Sequence, residues 1–174
     1  TFEDVAVGEG DLLCKLGEGV GTVLGPSHAP WFMIGTAAVA HGLCRAVVGA
    51  TIGHLTSSSF DNIKSRLCDI QLLRTRLGEM HMRTEQSRAM LAFTFREMFA
   101  GSEATALYLL EARMSGIEAA LELTELAMKT CGGSALLRGK PIERAFRDAR
   151  AGWVMSPTTD LLQDLVGKAL TGLP

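Results

Sequence analysis

From about residue 30 onward the hydrophobic positions recur every three or four residues, the period of one helix face. Ahead of that they do not. Phe2, Val5 and Val7 alternate with polar or small residues, as in a half-exposed strand, and Gly8, Gly10, Gly17, Gly19, Gly21 and Gly25 follow. Such a run is loop composition with at most one or two short strands. The pattern therefore divides the chain into a loop-rich tail or linker over 1–26 and a helical domain over 27–174.

Pro30 suits a first helical turn, with Ser27 as a cap ahead of it, and the first helix is expected to reach about Leu55. Gly35, Gly42 and Gly49 repeat every seven residues along it and Gly53 follows, placing a smooth stripe on one face. Each such glycine costs about 1 kcal/mol of helix propensity against Ala. The favoured compensation is tight packing against another helix; a flat ligand is the alternative. After a polar break at Thr56–Ser59, a second helix is expected from about Asp61 to Met98, with Ile63, Leu67, Ile70, Leu73, Leu77 and Met80 on its inner stripe. Gly101 and Ser102 punctuate. A third helix is expected from about Glu103 to Thr130, with Glu111, Arg113, Glu118 and Glu122 mostly on its outer face. Cys131-Gly132-Gly133 ends it, since glycine takes the left-handed conformation found at helix C-termini. A last helix begins after Pro157. Long elements joined by short loops give an all-α, up-and-down four-helix bundle with a short N-terminal strand or loop remnant.

Composition narrows the function without choosing one. Of 174 residues, 47% are hydrophobic and 21% charged, enough to build a core, and the net charge of −2 gives no footprint for nucleic acid or an anionic membrane. The run from Trp31 to Leu55 is apolar, but His41, Arg45 and His54 interrupt it, so a buried helix is expected rather than a membrane span. The opening residues lack a basic start and an early apolar run, and no secretory signal is expected; without an initiator Met the chain reads as the tail of a longer polypeptide or a trimmed product. Cys14, Cys44, Cys68 and Cys131 form no C-x-x-C pair and read as free thiols in a reducing cytoplasm, two or more of them buried. His28, His41, His54 and His81 share no metal-ligand spacing and read as surface or packing residues. Gly17-Glu18-Gly19-Val20-Gly21 does not match a dinucleotide loop. The densest charge cluster is Glu143 to Arg150, where Glu143 and Arg147 lie one turn apart. It is either a solvated salt-bridged face or a structural ion pair beside an anion site.

Gly132-Gly133, then Arg147-Asp148-Ala149-Arg150, then Pro157-Thr158-Thr159-Asp160, closing near Leu165-Val166-Gly167, resembles the C-terminal signature of the acyl-CoA dehydrogenase superfamily. Ala29-Pro30-Trp31-Phe32 resembles the opening of that family's C-terminal domain, and Phe2 to Val7 the last strand of its middle β-domain. The resemblance implies a homo-oligomer, dimer or tetramer, with FAD held between this bundle, the β-domain and a neighbouring subunit's bundle. It assigns flavin contacts to Gln71, Gly132, Gly133 and Thr158, gives Asp160 the slot of an adenosine-contacting glutamine, and makes Arg147 and Asp148 a structural pair. It implies an acyl-CoA or other small-molecule substrate, no nucleic acid and no membrane.

Two departures stand out. The family's catalytic glutamate slot holds Ser156, and the helix-one alternative, Ala29 to Gly42, contains no acid. A serine hydroxyl is a poor base unless activated. The family's Arg-Phe pair is reduced to Phe60, preceded by Ser57, Ser58 and Ser59. Three readings follow: an FAD-dependent oxidoreductase of this family with its base elsewhere or its chemistry altered; a flavin-dependent monooxygenase of the same fold, with FMN as the flavin; or a non-catalytic domain that completes a neighbour's site. The isolated domain is expected to be inactive.

Overall fold

A computed structural model describes residues 1–25, 28–60, 62 and 64–173. Its contacts group into two units, 1–32 and 33–174. The first holds a 3-10 turn at Glu9–Asp11 and a short helix α1 (Gly19–Leu24). The expected strand does not form: Phe2, Val5 and Val7 lie in irregular chain and are exposed. A strand needs a ladder partner to satisfy its backbone, and among the described residues Phe2 to Val7 has none.

The rest is helical; the four expected helices form, and residues 141–154, which lie outside all four, form a further one. Helix α2 spans Ala29–Ser57, α3 Gln71–Ala100, α4 Thr105–Cys131, α5 Pro141–Val154 and α6 Thr159–Thr171. The Ser27 cap lies outside the described residues. The second long helix starts later than expected. Ser59–Phe60 (β1) pairs antiparallel with Ser65–Arg66 (β2), Lys64 adopts a positive φ of 48°, and the Asp69 carboxylate accepts the Arg66 N–H at 3.0 Å. These contacts hold the chain extended up to a 3-10 turn at Leu67–Asp69, so Leu67 and Ile70 precede the helix; Asp61 and Ile63 lie outside the described residues. Gly101 closes α3 at φ 69°, with the Ser102 N–H donating to the Glu97 carbonyl at 3.1 Å.

Cross-helix contacts fix the directions. Arg76 meets Lys129, Arg83 meets Glu122 and Thr94 meets Tyr108, so α3 and α4 run antiparallel. Arg150 meets Thr124 and Arg113 meets Met155, so α4 and α5 do too. Met33 meets Arg113 and His54 meets Ser134, so α2 and α4 run parallel. This is the up-and-down arrangement, with α6 added against α4 through Gln163 and Glu118.

Helix α4 is the shared centre. Its buried side includes Ala112, Gly116, Ala119, Ala120, Leu123 and Ala127, mostly small residues that let helices come close. At Gly116 a Cβ would stand 3.3 Å from the Ala37 carbonyl oxygen and 3.4 Å from the Ala40 Cβ. Tight glycine packing therefore occurs on α4. The expected stripe on α2 does the opposite: Gly35, Gly42, Gly49 and Gly53 are exposed, with no neighbour within 4 Å of an added Cβ among the described residues. Helix α2 is long and apolar enough to cross a membrane, yet its Cys44, Val47, Thr51 and Leu55 face is built into the core. Buried hydroxyls bond back along their own helices, Thr51 to the Val47 carbonyl at 2.8 Å and Thr84 to that of Met80 at 2.9 Å.

Arg113 corrects the expected outer face of α4, because it is fully buried. Leu109, Ala112, Arg113, Gly116, Ile117 and Ala120 follow the helix period, and Arg113 lies in the middle of that inner stripe.

Two consequences are testable in the 174-residue chain. Gly116→Val is expected to cost about 1–3 kcal/mol by overpacking against α2, while Gly42→Ala should add about 0.5–1 kcal/mol through helix propensity. Urea unfolding reads both, and equal effects at the two sites would contradict the packing. His41 is buried, its Nδ1 lacks a hydrogen-bond partner, and burial followed by Arg45 lowers its pKa from 6.5, against an opposing pull from Glu85. Below pH 6.5 the unfolded chain thus binds a proton that the folded chain refuses. Stability should be full above that pH and fall as pH drops, by at most about 1.4 kcal/mol per pH unit from this group. His41→Gln should remove that component of the slope; an unchanged slope would contradict it.

Candidate functional site

The residues assigned to flavin contact fall into two groups. The first lies at the end of the bundle where α3 begins and α4 stops. Gln71 is the first residue of α3, and the Arg76–Lys129 contact sets that turn beside the last turn of α4. There Gly132 caps α4 at φ 63° and ψ −149°, a conformation only glycine adopts without strain, and Gly132–Leu136 continues as a 3-10 turn. Gln71, Gly132 and Gly133 are all exposed. Ser134 ties this turn down: its hydroxyl donates to the Cys131 carbonyl at 3.0 Å and lies 3.4 Å from His54 Nε2, while His54 Nδ1 is 3.4 Å from the Ser58 hydroxyl.

The second group is the turn between α5 and α6. Met155 caps α5, the Ser156–Pro157 peptide is cis, and Thr158 stands at the N-cap of α6. Thr158 makes no side-chain capping bond, so its hydroxyl and the first N–H groups of α6 lie at one helix start. That is sound chemistry for a phosphate. Asp160 sits in the same first turn and is exposed. Its carboxylate favours the helix dipole but repels an anion bound there. Ser156 is exposed, and Thr159 and Leu162 are buried, anchoring the start of α6.

These groups do not share one pocket. The Gln163–Glu118 contact sets the α6 start near the middle of α4. From Glu118 to Gly132 the helix climbs about 20 Å. A single bundle holds the two groups apart along α4.

Most of the charge cluster on α5 is a solvated, salt-bridged face. Arg147 Nε donates to Glu143 at 2.6 Å and Arg144 Nε to Asp148 at 3.4 Å, so Arg147 and Asp148 are not paired with each other. The Arg147 bond holds the Glu143 carboxyl below its usual range, helped by the Gly139 N–H. Arg150 turns inward, donates to the Thr124 hydroxyl at 2.8 Å and stacks 3.5 Å over the Phe146 ring centroid.

Between α2, α4 and α5 lies a cavity of about 210 Å³ whose apolar wall includes Val39, Leu43, Ile117 and Met155, with Arg113 and Asp148 as its charged members. Arg113, buried and with its pKa lowered by desolvation, donates through Nη2 to the Met155 carbonyl at 3.1 Å and through Nη1 to Met33 Sδ at 3.5 Å. No motif marked Arg113; its place on the α4 stripe was the available signal. The four cysteines are free thiols, Cys44 and Cys131 buried, and burial pushes the Cys44 thiol up to about 11, an unreactive state. Among the described residues no three His, Cys, Asp or Glu side chains gather as a metal site.

A family model described as acyl-CoA dehydrogenase, C-terminal domain, matches residues 31–171. The short/branched chain specific acyl-CoA dehydrogenase of Rattus norvegicus mitochondria is 27% identical over 97% of this chain, and the chain spans 38% of its length. Butyryl-CoA dehydrogenase from Megasphaera elsdenii superposes with a TM-score of 0.85 at 23% identity, over 98% of this chain and 43% of that one. Acyl-CoA dehydrogenase from Geobacillus kaustophilus gives 0.86 at 20% identity, over 97% and 43%. The chain thus spans well under half of the relatives it matches.

Proposed function

Because the chain belongs to the acyl-CoA dehydrogenase family, as its C-terminal domain, we propose that it completes the FAD site of a flavin-dependent oxidoreductase acting on acyl-CoA, and forms the homo-oligomer interface, dimer or tetramer, of that enzyme. The carrying observation is the separation of the Gln71–Gly132–Gly133 end from the Thr158 turn along α4. Each group supplies half of a dinucleotide site, so the other half comes from another copy. The exposed glycine face of α2 suits contact with further protein. Free cysteines fit a reducing cytoplasm.

Bound FAD would supply the hydride acceptor. This chain's own residues bind and orient. Thr158 donates its hydroxyl to a phosphate oxygen at the α6 start, and Gly132 with Gly133 gives a side-chain-free approach. Ser156 occupies the base position but cannot take an α-proton unaided. With no acid in Ala29 to Gly42, the base comes from outside these positions or the chemistry is altered. The same absence favours a second reading, the monooxygenase branch, in which no carboxylate base is required here; the family match favours FAD over FMN for either.

The flavin-loaded full-length polypeptide distinguishes them. Anaerobic addition of a saturated acyl-CoA should bleach the visible flavin band, and Ser156→Glu should speed it. Oxygen-dependent turnover of reduced flavin on a non-thioester substrate, without bleaching by acyl-CoA, would contradict the dehydrogenase reading. In the same protein Thr158→Val should weaken FAD binding about tenfold, the worth of one hydrogen bond to a charged group. Asp160→Asn should tighten it a few-fold by removing repulsion at the helix start.

A further inference from the structure

A fully buried guanidinium in an apolar wall needs an explanation. Arginine keeps its charge even when desolvated, and burying that charge costs several kcal/mol unless strong acceptors meet it. Arg113 has no exposed surface, and one fork of its guanidinium reaches the Met155 carbonyl at 3.1 Å while the other reaches Met33 Sδ at 3.5 Å. Met155 is the C-cap residue of α5. Its carbonyl lies at the negative end of that helix dipole, the favoured place for a cation. The base of the Arg113 side chain is fixed between Ala112, Gly116 and Ile117, all buried on the central helix.

We propose that Arg113 is the positioning residue of the Met155–Thr158 turn: from the rigid middle of α4 it holds the Met155 carbonyl and thereby sets where Ser156 and Thr158 stand. The turn is then fixed at both ends, by Arg113 before it and by buried Thr159 and Leu162 after it. Between those ends Ser156 is exposed and Thr158 half-buried. Arg113 and Met155 also both line the apolar cavity, so the clamp forms part of its wall. A clamp made by one donor on a backbone carbonyl is sensitive to fork geometry, which lysine lacks. The clamp stands on contacts within the chain; its effect on ligand binding rests on the proposed flavin contact of Thr158.

Hydrogen exchange on the full 174-residue chain tests it. In Arg113→Lys the amides of Met155 and Leu162, which donate to the Ala151 and Thr158 carbonyls on either side of the turn, should exchange at least about tenfold faster, the scale of one lost charge-assisted hydrogen bond. Amides of Leu123 and Ala127 should slow or quicken only with global stability. If turn and helix change in the same proportion, Arg113 is a core residue alone and the proposal is overturned. A second measurement needs no variant. With ¹⁵N-arginine and ¹³C-carbonyl methionine in the native chain, a coupling across the hydrogen bond from Arg113 Nη to the Met155 carbonyl carbon should be detected, and its absence overturns the clamp. In the full-length flavoprotein, Arg113→Lys should weaken FAD binding about tenfold. A loosened turn with unchanged FAD affinity would leave the clamp standing and contradict the flavin role of Thr158.

Discussion

The close approach of α2 to α4 at Gly116 is the constraint on which the rest of the domain depends. With the Ala37 carbonyl oxygen 3.3 Å from where a side chain would begin, the two helices run in parallel with almost nothing between them. That leaves the other sides of α4 for α3, α5 and α6. The small residues Ala112, Ala119, Ala120 and Ala127 serve the same geometry. Dispersion between well-fitted backbones and methyl groups replaces the bulky interlocking of a leucine-rich core. Such a core has little tolerance for added volume.

A central helix of this kind also acts as a ruler. It separates the Gly132 turn at its end from the Thr158 turn beside its middle, by about 20 Å of helical rise. Neither turn is positioned by chance. Ser134 and His54 hold one, and Arg113 with Thr159 holds the other. Residues that look like a single set in the linear sequence become two turns held apart on one helix. Under the proposed function this spacing would make oligomerisation part of ligand binding, each turn serving a different copy's flavin.

Much of this was legible in the residues. The helix period, the glycine stops at Gly101 and Gly132, and the short links between helices gave the bundle. The block from Gly132 to Asp160 carried the family. Other features depend on contacts that periodicity does not encode. The glycines of α2 and α4 look equivalent in sequence, yet only Gly116 meets another backbone; which face turns inward is decided by all the helices together. The hairpin ahead of α3 depends on a side-chain bond from Asp69 and on the Lys64 backbone, so an apolar spacing through Leu67 and Ile70 misplaced the helix start. The charge of Arg113 points outward, but its spacing places it on the buried stripe. Arg147 and Asp148, adjacent in the motif, find different partners because helical neighbours are four residues apart.

The most direct measurement of the central claim is complementation between two defective copies of the full-length polypeptide. One carries Gly132→Val and the other Thr158→Asp, which sets a carboxylate against the phosphate, each chosen to abolish flavin retention when expressed alone. If a flavin site takes its glycine turn from one copy and its threonine turn from another, co-expression assembles some sites from two intact halves. Random pairing should then restore bound FAD toward about a quarter of the wild-type stoichiometry. Flavin absorbance of the purified mixed oligomer staying at the level of the single variants would contradict a site shared between copies.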